Sequence, residues 1–122
     1  MILGPVPAKP QFSDAPYRRQ LLGGQMESAV IYGLSAALTE QFAVKDGAVQ
    51  ASNFDTYTVL RMSDVPPIHT RIVTSDAAPS GMGEIGVVTV APAIANAMFQ
   101  LTGKRLRHVP MTAERVKATL KA

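Results

Sequence analysis

Between residues 25 and 40 the polar side chains Gln25, Ser28, Tyr32, Ser35 and Thr39 recur at spacings of three and four. Nearly every position between them is Met, Ala, Val, Ile, Leu or Gly. The five polar residues form one narrow stripe, so the pattern predicts a helix with an apolar surface far wider than a surface helix needs. Such a helix is expected to be buried, and Ala29, Gly33, Ala36 and Ala37 are small enough to admit a neighbouring backbone. Ahead of it, Ser13 or Asp14 offers a cap for a helix beginning near Pro16, and Gly23-Gly24 predicts a break.

Further along, Asp46-Gly47 is a strong type I′ hairpin signal between Phe42-Ala43-Val44 and Ala48-Val49-Gln50. Residues 51–67 predict an irregular excursion anchored by Tyr57, Val59, Leu60 and Met62 and ending at Pro66-Pro67. Residues 68–75 alternate as a strand does, with Ile68, Thr70, Ile72 and Thr74 on one face and His69, Arg71 and Val73 on the other. Residues 76–86 read as a loop and 87–90 as a short extended segment. Pro92 suits the first turn of a helix that runs to about Thr102 and stops at Gly103. After an extended stretch at 106–109, Thr112 is a candidate N-cap for a short helix at 113–121, with Glu114 in its first turn. Pro5, Pro7, Pro10 and Pro16 make residues 1–18 an irregular tail, leaving 19–122 as a single domain. The predicted class is α+β: two main helices packed on a small, mostly antiparallel sheet, with a short C-terminal helix.

Composition sharpens this. A chain of 122 residues that is 47% hydrophobic and 17% charged has little interior in which to hide its apolar side chains, so part of its surface is expected to meet a partner. The net charge of +3 is unevenly placed, because Lys104, Arg105, Arg107, Arg115, Lys117 and Lys121 are half of the twelve Lys and Arg residues. With no Trp, no Phe or Tyr beyond Phe99, and no binding motif, the basic end does not read as a nucleic-acid surface. The absence of cysteine excludes a disulfide, a thiolate zinc site and an iron–sulfur cluster held by this chain. His69 and His108 lack metal-ligand spacing. The first twenty residues lack the pattern of a signal peptide, and no apolar run reaches membrane-spanning length, so the expectation is a cytoplasmic protein with no membrane partner.

One stretch carries chemistry. In Gly81-Met82-Gly83-Glu84-Ile85-Gly86 a carboxylate sits among three glycines, directly before an apolar segment with Ala91-Pro92-Ala93 in it. Glycine removes the side-chain barrier to close ligand approach, so such a loop can fold tightly while presenting Glu84. Taken alone the motif is weak, since a Glu in a glycine loop is most often simply solvated.

The segment closely resembles the active-site loop of the molybdenum hydroxylases, in the large subunit of the xanthine dehydrogenase, aldehyde oxidase and isoquinoline 1-oxidoreductase group. There a Gly-x-Gly-Glu loop carries the catalytic base and the next helix begins Ala-Pro-Ala. The likeness runs in order from about Gln25 to Met111. Gln25-Met26-Glu27 with Ile31-Tyr32-Gly33-Leu34 resembles the family's Gln-x-Glu helix. Ser52-Asn53-Phe54-Asp55-Thr56-Tyr57 and Leu60-Arg61-Met62 are similar to the segment after its hairpin. Gly103-Lys104-Arg105 and Arg107-His108-Val109-Pro110 are similar to its C-terminal end. Ile85 stands where members usually have Pro, Val88-Thr89 where they often have a proline pair, and residues 1–24 lack the family's Asn-Pro pair.

The resemblance implies hydroxylation of an aldehyde or an N-heteroaromatic carbon with oxygen from water. It implies a molybdopterin cofactor faced by Gln25 and approached by Gly83, with Glu84 as general base on a metal-bound hydroxyl. It also implies partners: the upstream part of the large subunit, and an iron–sulfur or other electron-transfer subunit. The alternative expectation is a truncated, catalytically inactive remnant that folds and self-associates without cofactor. That homo-oligomer would be a dimer, with the helix at 25–40 or the one at 91–102 in its interface.

Overall fold

Helix α1 runs unbroken from Pro16 to Leu38 in a computed structural model that describes residues 6–7, 16–75 and 81–121. The expected break at Gly23-Gly24 does not occur. A helical glycine costs about 1 kcal/mol relative to alanine, which tertiary packing along the following turns offsets. Met26, Ala29, Gly33 and Ala37 are buried at helical spacing on one face, whereas Gln25, Glu27, Ser28, Tyr32 and Ala36 are exposed. The helix is therefore buried along one face and not all around, because among the described residues only one long element packs on it.

That element is α2, Val87–Thr102. The extended segment expected at 87–90 is absent: the helix begins at Val87 and holds Pro92 inside it, where Pro92 was to open it. Two local causes are visible. The Val87 N–H bonds the Glu84 carbonyl at 3.1 Å, starting the turn early, and Val90 is buried against Gly33 of α1. Pro92 is exposed, and as a proline it offers no N–H to the helix ladder. The far end is as predicted: Gly103 adopts φ +69°, and its N–H bonds the Phe99 carbonyl at 2.8 Å.

The two helices make the main contact of the fold. Their core holds Met26, Ala29, Ala37 and Val90, joined by Leu106 and Met111 from the chain after α2. The Met111 N–H donates to the Ala37 carbonyl at 2.6 Å, tying this return segment to the end of α1. Helix α3, Ala113–Lys121, follows as predicted. Thr112 accepts from the Arg115 N–H at its hydroxyl, 3.4 Å, and from the Val116 N–H at its carbonyl, 2.9 Å.

Among the described residues strand content is small. Strand β1, Val6–Pro7, pairs in parallel with β4, Thr74–Ser75. Strands β2, Val44–Lys45, and β3, Ala48–Val49, form the predicted antiparallel hairpin. Asp46 at φ +52° and Gly47 at φ +76° are the two left-handed residues a type I′ turn requires. The strand expected over 68–75 is reduced to its last two residues. Among the described residues none lies beside 68–73 to complete a ladder, and alternation alone does not make a strand. Residues 51–67 form the expected excursion, with one 3-10 turn at Met62–Asp64, but of its expected anchors Val59 and Met62 are exposed. The α+β class stands. Of the expected tail, β1 and the start of α1 are described; the rest, with the candidate caps Ser13 and Asp14, lies outside the described residues.

Candidate functional site

Glu84 lies in the turn that leads into α2, and its side chain is exposed. Gly81 and Gly83 are exposed too, and a Cβ at either would meet nothing within 4 Å. Packing among the described residues therefore does not demand glycine there. Gly86 differs. It is buried, and a Cβ would come within 2.9 Å of Ala29 Cβ and 3.4 Å of Met26 Cε and the Val30 nitrogen. The glycine loop is thus seated on α1 through Gly86, at the turn that directly follows Gln25. Gln25 is itself exposed. The structure thus packs Gly86, two residues after Glu84, on the turn of α1 that follows Gln25, although the two segments are far apart in sequence.

The donor set there is one side-chain amide able to give and accept hydrogen bonds, bare glycine backbone, and one accessible carboxylate. These fit one open side of an organic cofactor. They do not form a metal cage, and no cluster of three or more His, Cys, Asp or Glu that could hold a metal occurs among the described residues.

Two features escaped sequence reasoning. Ser35, expected on the polar stripe, is buried, and its hydroxyl accepts the Leu60 N–H at 2.9 Å, pinning the excursion to α1. The Tyr57 hydroxyl donates to Glu40 Oε2 at 2.6 Å, and that bond holds the phenol above its ordinary pKa. A cleft of about 400 Å³ lies between these contacts, lined in part by Ser28, Tyr32, Glu40 and Leu60. No periodic signal announces either pair, because each joins α1 or its end to a loop with no repeat. No described helix is long and apolar enough to cross a membrane.

Comparison with known proteins identifies the family. Residues 17–66 match the molybdopterin cofactor-binding domain, a span that includes Gln25 and ends before Glu84. Over 91 residues the chain is 47% identical to isoquinoline 1-oxidoreductase subunit beta of Brevundimonas diminuta, covering 75% of this chain and 12% of that protein. It is 34% identical over 100 residues to the molybdenum-binding subunit of an Escherichia coli aldehyde oxidoreductase, covering 75% of this chain and 14% of the relative. The crystal structure of quinoline 2-oxidoreductase from Pseudomonas putida 86 shares the fold, with a TM-score of 0.71 at 22% identity, over 85% of this chain and 14% of that one. The chain spans only 12% to 14% of the length of these relatives. By sequence and fold it belongs to the molybdopterin-binding family of the molybdenum hydroxylases, matching a small part of its members' chains.

Proposed function

We propose that this chain forms one wall of a molybdopterin-dependent hydroxylase site for aldehydes or N-heteroaromatic compounds. The rest of a large subunit and an iron–sulfur or other electron-transfer subunit would complete it. The observation that supports this reading is the seating of Gly86 on Met26 and Ala29, which anchors the glycine loop to the turn of α1 that follows Gln25. When bound, the molybdenum cofactor supplies the two-electron redox chemistry. Gln25 then orients the cofactor through its amide, and the bare backbone at Gly83 allows close approach. Glu84 accepts a proton at its carboxylate as the oxygen nucleophile attacks the electron-poor carbon, a role worth roughly 10²–10⁴-fold in rate. In a complete complex, Glu84→Gln is expected to abolish turnover while leaving molybdenum content unchanged, and Gln25→Ala to lower that content. Equal turnover for wild type and Glu84→Gln would remove Glu84 from the chemistry.

A second reading concerns the chain on its own: it self-associates without cofactor. Fifteen large apolar side chains are exposed among the described residues, against six buried apolar ones, and surfaces of that kind associate. Light scattering together with metal analysis of the purified chain separates the two readings. A monodisperse monomer at high concentration would overturn self-association.

A further inference from the structure

Residues 104–122 hold six of the chain's Lys and Arg residues against one carboxylate, Glu114. Four basic side chains of this stretch, Arg105, Arg107, His108 and Arg115, line one cleft of about 700 Å³ between residues 105–109 and α3. Leu106, Val109 and Ala118 supply its apolar lining.

Two of the guanidinium groups are fixed in place by neutral partners. Arg105 lies over the Phe99 ring at 3.6 Å from its centroid and donates to Asn96 Oδ1 at 3.0 Å. Arg115 donates to the Pro110 carbonyl at 2.9 Å and to Gln41 Oε1 at 3.2 Å. None of these acceptors cancels charge. Arg107 and His108 are exposed and make no hydrogen bond or ion pair among the described residues. Glu114, the one Asp or Glu of residues 104–122, is engaged by its own backbone N–H and the Thr112 side chain and does not line the cleft. Among the described residues the result is a cationic cleft with no carboxylate in its lining and two members held at fixed positions before any ligand arrives.

We propose that this cleft docks an acidic polypeptide segment of a partner chain, one that carries carboxylates next to an apolar side chain. Guanidinium groups match carboxylates in planar, two-point geometry. The apolar lining, with Val109 59% exposed, favours a peptide over a bare anion, because a phosphate would leave it unused. No Phe, Tyr or Trp lines the cleft to stack a base, which argues against single-stranded nucleic acid. The surface includes none of Gln25, Gly83 or Glu84, so it stands or falls apart from the hydroxylase reading.

The test uses the full chain and a fluorescent peptide of alternating Glu and Leu. Binding by anisotropy is expected to weaken about tenfold in Arg107→Ala and to fall as salt rises. His108→Ala is expected to weaken it less, and a Glu–Ser peptide to bind several-fold more weakly than the Glu–Leu one. Both substituted side chains are exposed and unbonded, so the variants are expected to melt with wild type. Unchanged affinity in both Arg107→Ala and His108→Ala would overturn the proposal. Equal binding of the Glu–Ser peptide, or displacement by inorganic phosphate or a single-stranded oligonucleotide at matched concentration, would overturn it as well.

Discussion

Gly33 and Val90 touch where α1 crosses α2: a Cβ on Gly33 would lie 2.8 Å from Val90 Cγ2 and 2.8 Å from the Val87 carbonyl. One of those neighbours is backbone, so relief requires the helices to move apart. Gly33→Ala is expected to destabilise the chain by about 1–3 kcal/mol, as overpacking does. Gly24, in the same helix, has nothing within 4 Å of where a Cβ would stand. Gly24→Ala is therefore expected to stabilise by up to about 1 kcal/mol through helix propensity. Urea unfolding of the two variants checks both signs, and a stabilised Gly33→Ala would show that the crossing is looser than the structure has it.

Ser35 is buried and accepts the Leu60 N–H. Ser35→Ala removes the acceptor and leaves a part-buried donor unpaired, with an expected loss of about 1–3 kcal/mol. Hydrogen exchange at Leu60 should accelerate in the variant. Protection at wild-type level would show that another acceptor takes over.

Tyr57 is held above its ordinary pKa first by its hydrogen bond to Glu40, with smaller contributions from desolvation and the Glu40 charge. A raised phenol pKa means that the neutral form is favoured in the folded chain. Its contribution to stability is present below the unfolded phenol pKa and is lost as pH rises through the folded one. Phenolate absorbance is expected to show a late-titrating tyrosine in wild type and to lose it in Glu40→Ala. Superimposable titrations would contradict the contact.

Glu114 is held below the ordinary carboxylate pKa by its backbone N–H, then by the Thr112 side chain, and more weakly by Lys117. A depressed pKa contributes stability above the unfolded value, which is lost as pH falls through the folded one. Thr112→Ala removes the N-cap of α3 and is expected to cost about 1 kcal/mol near neutrality. The difference in melting temperature from wild type should shrink in acid, once Glu114 is protonated. A difference independent of pH would uncouple Glu114 from the cap.

The features legible in the sequence are local ones. The Asp46-Gly47 turn, the stop at Gly103 and the cap at Thr112 are each decided within about four residues, by left-handed φ and by hydrogen bonds that close on the same turn. The glycine loop with Glu84, and Gln25 on its helix, are likewise legible as motifs. Long-range packing set the remainder. It carried α1 through Gly23-Gly24, began α2 at Val87 ahead of Pro92, buried Ser35, and left residues 68–73 without a ladder. Each of those outcomes depends on a partner distant in sequence: Val90 against Gly33, Leu60 on Ser35, or the missing neighbour of a would-be strand. The same holds for the candidate site, since Gly86 gives no sign in the sequence of being the residue that seats the loop. Only its close approach to Ala29 and Met26 does that, because there the turn into α2 lies too near α1 to admit a side chain.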